Sequence, residues 1–162
     1  MSKKINLLET GNMLLAAQKI VLCCHVSPDG DTLGSALGLA RLLEKKGKEV
    51  TVFVDDDINK SLSFIPGVDK VQRPEAGVIV EADLFVVVDA SSFDRVGICN
   101  EVVKAPVLLN IDHHISNTEF ADYLYLDAEA AAAGEIMCDL FEAMGWEYDE
   151  AKGAPELGIA PG

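Results

Sequence analysis

Basic residues are scarce in this chain of 162 residues: 13 Lys and Arg stand against 27 Asp and Glu, a formal net charge of −14. That balance argues against non-specific binding of duplex nucleic acid through a basic face. It leaves an anionic substrate open, provided that bound metal supplies the positive charge. Most of the acids read as solvated surface. Long apolar runs are also missing. None approaches the ~20 residues of a membrane span, and the N-terminus carries no signal-peptide pattern. The expectation is therefore a soluble cytoplasmic domain with no membrane partner. The four cysteines, Cys23, Cys24, Cys99 and Cys138, form neither a zinc spacing nor a disulfide framework. Cys23 and Cys24 are neighbours in an apolar run, so they point to opposite faces of a strand and are expected to stay reduced. There is no internal repeat, and the alanine run from Ala130 to Ala133 is the one low-complexity stretch.

What is present is enough to build a core. Hydrophobic residues make up 49% of the chain, which excludes intrinsic disorder, and the length suits one domain. In chain order, the apolar spacing of Leu7, Leu8, Met13, Leu14, Leu15 and Ala17 predicts a helix over 6–19. Ile20 to Cys24 reads as a buried strand, and Thr32 to Lys46 as a helix with Thr32 as N-cap and Gly47 as its stop. Gly34 and Gly38, four apart in that helix, point to close packing or a tight approach to a ligand. Glu49 to Val54 is the next strand, then a short helix over 59–64, a turn at Pro66-Gly67 and a short strand over Val68 to Gln72. Leu84 to Val88 and Val107 to Ile111 are uninterrupted apolar strands. Asp127 is the expected N-cap of a last helix from Glu129 to Met144, stopped by Gly145. Strands alternating with helices predict an α/β fold: a doubly wound, mainly parallel sheet with helices on both faces.

The chemistry gathers at three strand ends. The stretch His25-Val26-Ser27-Pro28-Asp29-Gly30-Asp31 follows the first buried strand. Asp89 follows Leu84 to Val88, and Asp112-His113-His114 follows the Val107 to Ile111 run; all three histidines of the chain lie at these places. A lone histidine at a strand end is more often structural, and Asp89 before Ala90-Ser91-Ser92 alone could cap a turn. Together they are hard to read as structural, because ligands of open parallel sheets bind beyond the carboxyl ends of the strands. Clustered carboxylates repel one another and resist desolvation, so they call for a cation. Carboxylates with neutral imidazoles and no thiolate suit Mn²⁺ or a similar borderline-hard ion, Mg²⁺ and Co²⁺ being the alternatives. More ligands are on offer than one ion uses, so a two-metal site that clamps a phosphoryl group is the better fit.

His25-x-x-Pro28-Asp29-x-Asp31, the strand ending at Asp89 and the triplet Asp112-His113-His114 together resemble the DHH phosphoesterase family, in particular its bacterial branch that degrades short oligonucleotides. Ser116-Asn117 and Gly134-Glu135 add to the likeness, which runs from about residue 13 to 149. The resemblance implies one Mn²⁺ held by His25, Asp29 and Asp89 and a second held by Asp31, Asp89 and His113, with Asp89 bridging. It implies that His114 faces the substrate phosphate and that Asp112 orients a neighbouring histidine or acts at the metal edge. Ser91 is a substrate contact or, more simply, a turn residue. The substrate implied is a short single-stranded oligonucleotide or a small nucleotide phosphate such as 3'-phosphoadenosine-5'-phosphate. Self-association into a homo-oligomer is left open.

The likeness has gaps. A fourth motif, an aspartate completing the second metal site, is expected shortly after Gly145. Leu157-Gly158-Ile159-Ala160 resembles the strand leading to it, but Pro161-Gly162 follows. Ala128 and Ala133 stand where the branch commonly has a proline and a hydroxyl residue. The expected organisation is a DHH catalytic domain over 1–150 and an irregular tail over 151–162, with no counterpart of the family's second, substrate-binding domain. One ion rather than two, and impaired hydrolysis, follow as expectations. The alternatives are a non-catalytic metal- or nucleotide-binding fragment, or a pyrophosphatase or cyclic-dinucleotide phosphodiesterase of the same superfamily.

Overall fold

The computed structural model describes residues 1–147; the expected tail over 151–162 and the Leu157–Ala160 segment lie outside them. The elements run β1 (Lys3–Lys4), α1 (Leu7–Ala16), β2 (Lys19–Cys24), α2 (Gly30–Lys45), β3 (Glu49–Phe53), β4 (Val80–Glu81), β5 (Leu84–Val88), α3 (Cys99–Val102), β6 (Val103–Lys104), β7 (Leu108–Asp112), β8 (Tyr123–Leu126) and α4 (Ala133–Met144). Six strands form one parallel sheet in the order β1-β8-β7-β5-β2-β3, while β4 and β6 pair separately, also in parallel. The α/β expectation holds.

Alternation along the strands divides the core in two. Ile20, Leu22 and Cys24 of β2, with Leu84, Val86 and Val88 of β5, face α1, α2 and α4. Val21, Cys23, Phe85 and Val87 face the opposite side, where Val96, Cys99 and Val102 cover them. Helices therefore lie on both faces, but unequally: three long ones on one side and the single turn of α3 on the other. Leu22, Leu33, Leu39, Leu43, Leu109 and Ile111 are fully buried, each contributing roughly 1.5–3 kcal/mol of transfer free energy.

Local chemistry sets the helix ends, with some departures from the sequence pattern. Asn6 caps α1 in a reciprocal box with Glu9, their backbone and side-chain groups 2.8 and 3.1 Å apart. Helix α2 starts at Gly30, two residues before the expected Thr32, because Asp29 is the cap: its Oδ1 accepts from the Thr32 N–H at 2.8 Å. Gly34 and Gly38 are both buried within it. Helix α4 starts at Ala133, not Glu129, and Asp127 accepts from the Glu129 N–H in a turn instead of capping a helix. Val68–Lys70 is a 3₁₀ turn rather than a strand; only Gln72 bridges to the sheet, at Phe53. Gly145, at φ +67, ends α4 as expected. Strands β1 and β8 were not expected: Tyr-Leu-Tyr-Leu is four residues long, β1 is two, and β1 exists through pairing with β8 at the far end of the chain, Lys3 opposite Tyr123.

Candidate metal centre

Strands β7, β5 and β2 are adjacent at the middle of the sheet, and their register pairs Cys24 with Val88 and Val88 with Ile111. The residues that follow, His25, Asp89 and Asp112, therefore emerge side by side at the carboxyl edge. Sheet order reverses there. Chain crossing from β2 goes outward to β3, then returns past β2 to β5 and on to β7, so the three ends line a topological switch point.

The loop after β2 is pinned from several sides. The Val26 N–H donates to the Arg95 carbonyl at 2.7 Å, and the Ser27 N–H, at φ +54, donates to Asp56 Oδ2 at 2.8 Å. His25 Nδ1 lies 2.7 Å from the Val26 carbonyl. A carbonyl can only accept, so Nδ1 carries the proton and Nε2 presents its lone pair. That Nε2 lies 3.7 Å from Asp89 Oδ2, too long for a direct hydrogen bond and suited to an atom held between them.

Asp89 is 4% exposed and sits at φ +64, an unusual conformation for a non-glycine residue. Its Oδ1 is 2.8 Å from His113 Nε2 and 4.0 Å from His114 Nδ1. Burial pushes its carboxyl pKa up, yet the adjacent His25 and the charges of His113, His25 and His114 outweigh burial and hold it below the ordinary value. Reciprocally, the Asp89 carboxylate raises His25 above the usual imidazole range against the effect of burial.

Asp112 is fully buried behind this row. Its Oδ1 is 2.6 Å from His114 Nδ1, and its Oδ2 accepts from Asn117 Nδ2 at 2.8 Å. The rings of His113 and His114 lie 4.4 Å apart between centroids. The His114 side chain is 42% exposed, the most open of the three imidazoles.

Among the described residues, two groups bring three ligand atoms within 4.8 Å of one another: His25, Asp29 and Asp89, and Asp89, His113 and His114. They share Asp89. Imidazole and carboxylate donors in this proportion fit a manganese-like ion. Asp31 belongs to neither group. Its two oxygens accept from the Ala133 and Gly134 N–H groups at 2.9 Å each, at the start of α4. Asp112 also stands outside both, behind His114. The Ser91 carbonyl accepts from the Thr118 N–H at 2.8 Å, a contact between the segments that follow β5 and β7. Two residues that shape the site escaped the sequence pattern: Asp56, which holds Ser27, and Asn110, a buried amide inside an apolar strand. The signal for Asn110 was its polarity in the run Val107 to Ile111.

The chain is similar to several known proteins. The chain is 33% identical over 141 residues to the bifunctional oligoribonuclease and PAP phosphatase NrnA of Thermus thermophilus, covering 85% of this chain and 41% of that protein. It is 32% identical to a probable manganese-dependent inorganic pyrophosphatase of an Exiguobacterium species, over 76% of this chain and 40% of the relative. The chain thus spans about two fifths of the length of these curated relatives. The crystal structure of an exopolyphosphatase-related protein from Bacteroides fragilis superposes with a TM-score of 0.79 at 28% identity, over 86% of this chain and 44% of that one. The family model for the N-terminal domain of the DHH family matches residues 19–159, and with the three strand ends meeting as described, the chain belongs to the DHH family.

Proposed function

We propose that this chain is the metal-binding domain of a phosphoesterase that hydrolyses short oligonucleotides or small nucleotide phosphates and depends on Mn²⁺. The observation that carries this reading is the pair of three-ligand groups sharing Asp89 at the sheet's switch point. His25, Asp29 and Asp89 would hold one ion. Asp89 and His113 would hold the second, with Asp31 or His114 adding a donor. Bound there, the metal supplies positive charge to the phosphoryl oxygens and lowers the pKa of an attacking water.

The protein's own contribution is placement. Asp89, buried and kept ionised by its imidazole neighbours, stays an anionic ligand down to low pH. The Val26 carbonyl fixes the His25 tautomer, so Nε2 stays available as a donor atom. Asp112 does the same from behind for His114, holding the proton on Nδ1 and fixing the orientation of the ring. The open face of His114 is where an anionic substrate would enter. The negative surface of the chain works against long nucleic acid and is compatible with small phosphates that a metal can attract.

Relatedness to a pyrophosphatase favours a second substrate class, inorganic pyrophosphate, through the same residues. The test is a titration of the purified chain with Mn²⁺, followed by electron paramagnetic resonance, alongside hydrolysis of a dinucleotide, 3'-phosphoadenosine-5'-phosphate and pyrophosphate. Saturable Mn²⁺ binding that Asp89→Ala abolishes is the expected result. Turnover removed by chelator and restored by Mn²⁺ would identify the substrate. Unchanged Mn²⁺ binding in Asp89→Ala would refute the site.

A further inference from the structure

Strand β7 is apolar up to its last residue, Asp112, except at Asn110, which is fully buried. Its side-chain Nδ2 donates to the Val87 carbonyl at 3.0 Å and to the Ala90 carbonyl at 3.2 Å. These two carbonyls flank Asp89, the residue at φ +64 that both ligand groups share. The sheet register places Asn110 opposite Val87, so its short amide reaches across the end of β5 and clips the turn on both sides.

The amide's other end is also engaged. Asn110 Oδ1 accepts from Asn117 Nδ2 at 2.7 Å, and that same Nδ2 donates to Asp112 Oδ2 at 2.8 Å. Asn117 Oδ1 accepts from the Glu119 N–H at 2.7 Å. Both amide orientations are forced, because carbonyls and a carboxylate must receive donors and a backbone N–H must find an acceptor. Asp112 Oδ1 then meets His114 Nδ1. An unbroken chain of hydrogen bonds runs from the Asp89 turn through Asn110, Asn117 and Asp112 to His114. Fully satisfied buried networks of this kind enforce one geometry.

We propose that Asn110 and Asn117 are positioning residues, an amide relay that locks the turn presenting Asp89 and the tautomer of His114 together. The proposal rests on the reading of Asp89 and His114 as metal- and phosphate-facing groups. Neither asparagine belongs to either three-ligand group. Their effect passes through the backbone at Asp89 and through Asp112. A leucine at 110 would fill the strand as well by volume but would leave the Val87 and Ala90 carbonyls without these donors.

The test uses the full 162-residue chain with Asn110→Ala and Asn117→Asp, the latter keeping the shape and replacing the donor by a repelling carboxylate. Thr10→Val serves as the control, since Thr10 is buried in α1 and bonded only to the Asn6 carbonyl, away from the site. Three quantities are read: the thermal midpoint, the Mn²⁺ dissociation constant, and the His114 tautomer from ¹H–¹⁵N multiple-bond NMR of the metal-free chain at pH 8. Both asparagine variants are expected to weaken Mn²⁺ by about 10-fold or more and to mix the His114 tautomers. Thr10→Val should lower the midpoint and leave both other readouts alone. Folded variants with native Mn²⁺ affinity and a native His114 tautomer would overturn the proposal. Should Asn110→Ala fail to fold, Asn117→Asp decides, because Asn117 lies in a half-buried loop. Should the unsubstituted chain bind no Mn²⁺, the proposed function falls, and the tautomer measurement alone decides the relay.

Discussion

Replacing Asp31 by alanine should destabilise the metal-free chain through a helix that lies 102 residues further along. Helix α4 begins at Ala133 after Ala132, which has no side chain to cap it. Its first amides are served from outside: Asp31 Oδ2 accepts from the Ala133 N–H and Oδ1 from the Gly134 N–H, both at 2.9 Å. Losing an N-cap costs typically ~1 kcal/mol, and removing a negative charge from a helix N-terminus adds ~0.3–1 kcal/mol. Because the contact joins two elements, the sum expected is about 2 kcal/mol. At about 2–4 °C per kcal/mol for a chain of this size, the thermal midpoint should fall by roughly 4–8 °C. Circular dichroism melts in excess chelator measure it. Asp31→Asn, which keeps one acceptor oxygen and loses the charge, should fall in between. If Asp31→Ala melts within about 1 °C of the parent under chelation, the tertiary cap carries no stability and the reasoning fails. The measurement is informative because the family resemblance assigns Asp31 to a metal, and a loss seen without metal separates the two roles.

Further outcomes follow from other parts of the molecule. Asp89→Asn, nearly isosteric, should reduce Mn²⁺ affinity by at least ~10²-fold in a binding titration, since one substitution impairs both ligand groups. Gly97→Ala should cost about 2–3 kcal/mol in urea unfolding, because Gly97 sits at φ +61 and a methyl there collides with Asp55, whose Oδ2 accepts from the Ile98 N–H at 2.8 Å. Leu109→Ala, in the fully buried centre of the sheet, should cost about 3 kcal/mol by the same assay. Asp83 Oδ2 accepts from the Lys19 and Gln18 N–H groups, chiefly the former, which lowers its pKa. A depressed carboxyl contributes stability above its unfolded value near ~3.9 and loses it as pH falls through the folded value. Asp83→Asn should therefore melt lower than the parent at neutral pH and converge with it in acid; a pH-independent difference would contradict that linkage.

The strand ends were legible because the buried strands are apolar nearly throughout, Asn110 being the polar residue within the β7 run. Where such a run stops on His25, Asp89 or Asp112, the stop itself marks the carboxyl edge of a parallel sheet. Short elements were less legible. Tyr123–Leu126 became a strand because β7 offered it a free edge, and Val68–Lys70 turned instead of extending, with only Gln72 reaching β3. Local pattern carries little information over three or four residues, so tertiary pairing decides them.

By itself, the order of residues determined the fold class, the donor types and the strand ends that carry them, since hydrophobic periodicity and side-chain chemistry are local properties. Only the tertiary structure decided which ends are neighbours, that Asp31 turns to α4 and that Asn110 clips the Asp89 turn. These depend on strand order, register and backbone handedness, which arise from contacts between residues 20 to 102 positions apart. No local stretch of sequence holds both partners of such a contact.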